Sequence, residues 1–201
     1  MDSPTKTPTK NKHCILSIDL GIKNLGYSLI SYTHYGKLSF EDLHIDFGIF
    51  NIADNLTKKT NIVVGRCNTL HDFFCDIVED GYVIDFVIIE RQVSRNTMAM
   101  ELMYATTAIA MFHCSDIIIF DPKNKFNKLD IEYSTESKKH KKQSTNYARN
   151  LIMKKYEDLL PTFDSYEKKD DISDSLNQAF VWMLENGMIR VSKDEFLDII
   201  L

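Results

Sequence analysis

Long hydrophobic runs are missing from this 201-residue sequence. Its uncharged apolar stretches fall far short of the roughly 20 residues that a membrane span requires, so no membrane role is expected. Also absent is any CxxC pair. The four cysteines, Cys14, Cys67, Cys75 and Cys114, are scattered, and Cys14 and Cys114 lie in or beside apolar segments. That suits free thiols in a reducing compartment better than a disulfide frame. Cys67, His71 and Cys75 do fall at i, i+4 and i+8 of one expected helix. Three turns set the outer pair about 12 Å apart, too far for one ion, so they read as packing residues. Residues 1–12 (MDSPTKTPTKNK) lack the apolar core of a secretory signal, and their Pro, Thr and Lys content is that of a disordered arm. No internal repeat is present. Residues 13–201, in a chain that is 44% apolar, suffice for a single domain with a sizeable core.

The net charge of −5 argues against a nucleic-acid partner until its distribution is read. Between Pro122 and Lys155 ten Lys and Arg stand against three Asp and Glu, a local charge of +7. This asymmetry implies a basic face on an acidic body.

Cys14–Leu20, Leu25–Thr33 and Leu38–Phe50 read as an antiparallel meander with short links, the first at Gly21–Asn24. Helical spacing follows over Asn61–Val78, then a strand at Tyr82–Ile89, apolar on both faces except for Asp85. Asn96–Cys114 is an apolar helix and Asp116–Phe120 a fifth strand. After the basic segment come a helix at about Thr145–Leu160, ended by Pro161, and a last one at about Asp171–Asn186, ended by Gly187. Three meander strands followed by alternation predict an α/β fold with a five-stranded mixed sheet and helices on both faces.

Acids interrupt this pattern where apolar residues belong. Asp19 lies inside the run Cys14–Leu20, and Glu90 ends the run Val83–Ile89, at the carboxyl end of a strand where open α/β sheets build their sites. Asp19 shares a strand face with Ser17, beside Gly21, whose missing Cβ leaves room for a ligand. In the last helix Ile172, Leu176, Ala179, Phe180 and Met183 form the core stripe, with Asp171 and Asp174 close together near its start. Capping explains either aspartate singly, but Asp170 is the more natural cap. If the four acids converge, like-charge repulsion demands a cation, and hard divalent ions with oxygen ligands are the usual remedy. Two ions about 3.5–4 Å apart can activate a water and stabilise a leaving oxygen in phosphodiester hydrolysis. The competing reading is four scattered structural acids. Lys138, Lys139, Lys141 and Lys142 lie just before a helix and suit phosphate contacts, and one could reach a scissile phosphate. Arg91 and Arg95, at an expected helix start, are candidate DNA contacts.

The segments Ile18-Asp-Leu-Gly-Ile-Lys-Asn-Leu-Gly26, Ile88-Ile-Glu-Arg-Gln92, the KKHKKQ run and Lys169-Asp-Asp-Ile-Ser-Asp-Ser-Leu176 resemble, in order, the motifs of RuvC-type Holliday junction resolvases. The poxvirus branch is the nearest in pattern, from about Ile15 to Met183. The resemblance implies an RNase H-like fold, with Asp19, Glu90, Asp171 and Asp174 as metal ligands for Mg²⁺, two per site, with Mn²⁺ as the substitute. It implies a catalytic lysine within Lys138–Lys142, with Lys141 or Lys142 favoured as nearest the next helix. It further implies four-way DNA junctions as substrate and conversion of concatemeric replication intermediates to unit genomes in the host cytoplasm. A two-fold symmetric junction cut twice suits a homodimer, with Thr97–Phe112 as the candidate interface unless that helix only fills the core. An actin-like or sugar-kinase ATPase shares the opening Asp-x-Gly and has a second at Asp46-Phe-Gly48, but usually needs two such subdomains. A non-catalytic DNA-binding subunit and nucleases acting on RNA–DNA hybrids or flaps are the other readings.

Overall fold

The computed structural model describes residues 12–53, 62–93, 95–129, 131 and 137–201. Five strands, β1 (Lys12–Leu20), β2 (Asn24–Tyr32), β3 (His44–Asn51), β4 (Tyr82–Glu90) and β5 (Cys114–Phe120), form one sheet in the order β3-β2-β1-β4-β5. β1, β2 and β3 pair antiparallel, whereas β4 and β5 run parallel to β1. The mixed α/β sheet expected from the sequence is therefore present. The helices are α1 (Ile62–Glu79), α2 (Thr97–Ala110), α3 (Asn124–Asn127), α4 (Ser137–Lys155), α5 (Leu160–Ser165), α6 (Lys169–Glu185) and α7 (Lys193–Ile200).

Strand alternation sends successive side chains to opposite faces, and each face is covered by its own helices. Leu16, Ile18, Leu70, Phe74, Val87, Leu102 and Met103 make one core, under α1 and α2. Ile15, Ile30, Ile88, Leu151, Phe163, Leu176, Phe180 and Phe196 make the other, under α4 to α7. The expected α6 stripe of Ile172, Leu176, Ala179, Phe180 and Met183 is completely buried. Gly187, at φ +64°, ends α6, with the Met188 amide donating to the Met183 carbonyl at 2.9 Å.

Several boundaries differ from the sequence reading, each for a physical reason. Lys12, assigned to the arm, is the first residue of β1, while 1–11 lie outside the described residues. The third strand starts at His44 because a short 3₁₀ turn at Phe40–Asp42 fills the lead-in, its Ser39 bound to Asp42. α4 starts at Ser137, so the lysine run forms its first turns rather than preceding it. It stops at Lys155, and Pro161 opens α5 instead of closing a helix, since a proline lacks only an amide that the first turn leaves unpaired anyway. The residues after Ile189, outside the motif pattern, form α7, whose Phe196 and Ile200 finish the second core.

Asp85, the acid inside β4, is a structural group. It accepts hydrogen bonds from the Tyr32 hydroxyl at 2.7 Å and the Tyr35 hydroxyl at 3.3 Å, and pairs with His13 Nδ1 at 3.0 Å. Asp46 is an exposed mid-strand residue of β3 opposite Leu29, so the second Asp-x-Gly is no phosphate turn.

Candidate active site

Register brings the acids together. Asp19, one residue from the end of β1, pairs with Gly26 of β2, and β4 lies alongside with Glu90 at its own carboxyl end. α6 then crosses this end of the sheet on a seam of small polar groups. Ser17 Oγ donates to the Ser175 carbonyl at 2.7 Å, Ser28 and Ser175 hydroxyls meet at 2.8 Å, and Gln178 Nε2 donates to Ser17 Oγ at 3.1 Å. All four side chains are fully buried. Serine at these positions lets the helix approach closely while its hydroxyls stay paired. Gly26 completes the approach, since a Cβ there would lie 2.4 Å from the Asp171 carbonyl oxygen. Gly21 has a different use. A Cβ on it would meet the Asn24 carbonyl at 2.5 Å, so the space the sequence suggested for a ligand is taken by the turn itself.

At the centre is a residue the sequence reading passed over. Lys125 of α3 is 1% exposed, and its Nζ lies 2.5 Å from Glu90 Oε2 and 3.1 Å from Asp174 Oδ1. β5 runs parallel to β4 with Phe120 opposite Glu90, so the chain leaving β5 arrives directly beside the acid. Asp174 Oδ1 also accepts from Ser144 Oγ of α4 at 2.7 Å. Lys141 pairs with Asp170 in the first turn of α6, one residue from Asp171. Asp170 thus serves Lys141 and not the cap, which falls on Lys168 without a side-chain bond. Lys139 and Lys142 are exposed, and the side chain of Lys138 lies outside the described set.

The electrostatics follow from crowding. Burial, then Glu90 and Asp174, raise the Asp19 carboxyl well above the usual carboxylate range, with Lys125 pulling the other way. Asp171 is raised as well, by burial and by Asp170. Burial acts upward on Asp174 too, but Lys125 and the Ser144 hydroxyl outweigh it and hold this carboxyl low. Burial acts downward on the Lys125 ammonium, but Glu90, Asp174 and Asp19 outweigh it and raise its pKa above the usual lysine value. Removing one partner of such a buried pair costs about 3–5 kcal/mol.

The donor set fits a hard divalent cation. Every candidate ligand oxygen is a carboxylate, and Glu90 and Asp174 already hold one positive charge between them. Among the described residues no three of these carboxylates close into a cage within 4.8 Å. Mg²⁺ commonly uses one or two carboxylates with water and phosphate oxygens, so a partial set matches its habit.

Two grooves flank the acids. One, of about 740 Å³, is lined by Arg91, Arg95, Met103, Tyr104 and Lys123. The other, of about 380 Å³, runs past Lys23, Asn96, Lys168 and Asp171, and Gln92 lines both. Arg91 and Arg95 lie in the β4–α2 connection and not in a first helical turn, which begins at Thr97 after the cap Asn96. Arg91 also lies 3.8 Å from Asp121.

Two outcomes test this assembly. Gly26→Ala should push the start of α6 off the sheet, costing about 1–3 kcal/mol in denaturant melts. It should also weaken Mn²⁺ binding in calorimetric titration, and a variant with parental affinity would contradict the close-approach argument. Asp19 is raised in the fold, so the stability it lends is complete below the ordinary carboxylate range and is lost as pH rises through its folded value. In metal-free neutral buffer Asp19→Asn should therefore melt higher than the parent, with the gap closing as the pH is lowered.

The family model described as Poxvirus A22 protein matches residues 13–186. Among solved structures the chain is similar to the Fowlpox virus resolvase in complex with substrate Holliday junction DNA, at 20% identity and TM-score 0.57, covering 86% of this chain and 98% of that one. It is similar to the yeast mitochondrial Holliday junction resolvase Ydc2 at 17% identity and TM-score 0.60, covering 92% and 82%. The Thermus thermophilus RuvC structure shares 13% identity at TM-score 0.54, covering 87% and 97%. No curated protein matches. At these identities the solved structures establish the fold alone, which is the RNase H-like fold of the RuvC resolvases. The family model spans β1 through the end of α6, every element that carries an acid or Lys125, and the chain belongs to the poxvirus A22 protein family.

Proposed function

We propose that this chain is an endonuclease that resolves four-way DNA junctions by metal-dependent phosphodiester hydrolysis. We place its action on the concatemeric intermediates of viral replication in the host cytoplasm. One observation carries the chemistry: carboxylates from β1, β4 and α6 meet at one end of the sheet around a buried cation. Family membership and the junction resolvases of like fold support the substrate.

Asp19, Glu90, Asp171 and Asp174 would hold Mg²⁺, or Mn²⁺ in its place, two ions per site. When bound, such ions generate a nucleophilic water and stabilise the leaving oxygen. The chain's own residues do the positioning. Lys125 keeps Glu90 and Asp174 from repelling each other in the metal-free protein, so the site is preformed. Lys141, already drawn to the acids by Asp170, is our choice for the cation that meets the scissile phosphate. Lys142 is exposed, as is Lys139, and with Lys138 they take neighbouring phosphates at the start of α4, where the helix dipole also favours anions. Arg91 and Arg95 line the larger groove and fix the strand beside Glu90.

A dimer supplies the second cut. α2 buries Ala99, Leu102, Met103, Thr106 and Ala110 against the sheet. Its outer side and the following turn leave Tyr104, Met111 and Phe112 at 62%, 69% and 87% exposure. Apolar exposure of this kind marks an interaction surface, and a homodimer through it would set two sites at fixed spacing.

The wild-type chain should cut a synthetic four-way junction in Mg²⁺ or Mn²⁺ while sparing linear duplex and RNA–DNA hybrid. Asp19→Asn should bind the junction but not cut it, and normal cutting by that variant would remove the metal-site assignment. Sedimentation should show a dimer that Phe112→Asp converts to monomer; a wild-type chain that stays monomeric with and without junction would end the dimer proposal.

A further inference from the structure

Away from the acids, three soft donors converge where neither the fold nor the proposed reaction calls for them. His71 and Cys75 lie one turn apart on α1, and His113 sits in the turn between α2 and β5. One ligand atom from each falls within 4.8 Å of the others. His113 Nε2 is 3.4 Å from His71 Nδ1, and Cys75 Sγ is 4.0 Å from that same nitrogen. Zn–N bonds of about 2.0–2.1 Å and Zn–S bonds of about 2.3 Å at tetrahedral angles require N···N and N···S edges of about 3.3–3.6 Å. These two edges lie within about half an ångström of those values, and the Cys75–His113 edge lies within 4.8 Å.

Other features belong to a ligand site. The His113 ring is fixed by stacking on Phe74, with centroids 5.6 Å apart and planes at 21°. Burial, then His71, lower its pKa, which favours the neutral imidazole a metal needs. Cys75 is a free thiol on a partly exposed face. The helix alone could not supply this site, because Cys67 lies two turns from Cys75. The third ligand comes from a distant turn that the tertiary fold delivers.

We propose that His71, Cys75 and His113 form a zinc site, with water in the fourth position, that ties α1 to the α2–β5 turn. Two imidazoles and a thiolate select a borderline-soft ion such as Zn²⁺ over Mg²⁺. The site is separate from the carboxylates. His113 precedes β5 while Glu90 lies opposite its far end and Lys125 just beyond it, about 20 Å along a seven-residue strand. A metal here holds the turn that displays Met111 and Phe112, and so would order that exposed apolar surface.

Cobalt provides the test, because a thiolate ligand gives Co²⁺ a charge-transfer band that carboxylates do not. The reduced full chain is titrated with Co²⁺ in excess Mg²⁺, which fills the acidic site with a hard ion. One equivalent should bind with the thiolate band and tetrahedral d–d absorption, be displaced by Zn²⁺, and raise the melting midpoint. Cys75→Ser should abolish the band. His113→Gln and, at the most exposed ligand, His71→Gln should each weaken binding by at least the roughly 10–100-fold typical of lost outer-shell partners. Cys67→Ser should leave both the band and the affinity unchanged. Absence of the thiolate band, its survival in Cys75→Ser, its loss in Cys67→Ser, or unchanged affinity in both histidine variants would each overturn the proposal.

Discussion

Everything at the reactive end of the molecule rests on one charge balance: a buried ammonium set between carboxylates that would otherwise repel one another. Lys125 touches Glu90 and Asp174, and its charge, with the Ser144 hydroxyl, outweighs burial and holds the Asp174 carboxyl low. Asp19 receives less of that compensation and shifts the opposite way. The same cluster therefore holds acids of contrasting character, set by burial, by neighbouring carboxylates and by how much of one cation's charge each receives. A divalent ion entering this cluster does not have to assemble the acids. It would add to a positive charge that the chain already supplies among them.

The geometry that delivers this balance is made by small residues. Ser17, Ser28 and Ser175 form a hydroxyl seam between sheet and helix, and Gly26 brings the α6 backbone within touching distance of β2. Bulkier apolar residues at these places would pack equally well in a generic α/β core, but they would hold α6 further out. The polar seam is the less stable choice for a core and the better one for a site, because its hydrogen bonds fix rotation and height of the helix as well as its contact.

Much of this was legible in the sequence, and what was missed failed for identifiable reasons. An acid inside an apolar run is conspicuous, so Asp19 and Glu90 stood out, and i to i+3 spacing on a helix with a clear stripe disclosed Asp171 and Asp174. Lys125 was invisible because its meaning is tertiary. Between two other lysines in a basic segment it looks solvated, and only the parallel register of β4 and β5 shows where it goes. The start of α4 was misplaced because consecutive lysines oppose the dipole of a helix N-terminus, a local penalty that packing of Tyr147, Ala148 and Leu151 outweighs. His113 escaped notice for the same reason as Lys125, since its partners on α1 lie about forty residues earlier.

The wide spacing of the site along the chain has a consequence for folding. Residues 19, 90, 125 and 174 sit on four elements, and the serine seam on which α6 docks is built from both β1 and β2. Contacts of such long range pay the entropy of closing large loops before any of them is rewarded. The acid cluster is accordingly a property of the finished tertiary structure and of no shorter piece. Any excursion that lifts α6 from the sheet takes the cluster apart as a whole, since the same movement separates Asp174 from Lys125 and Asp171 from Asp19.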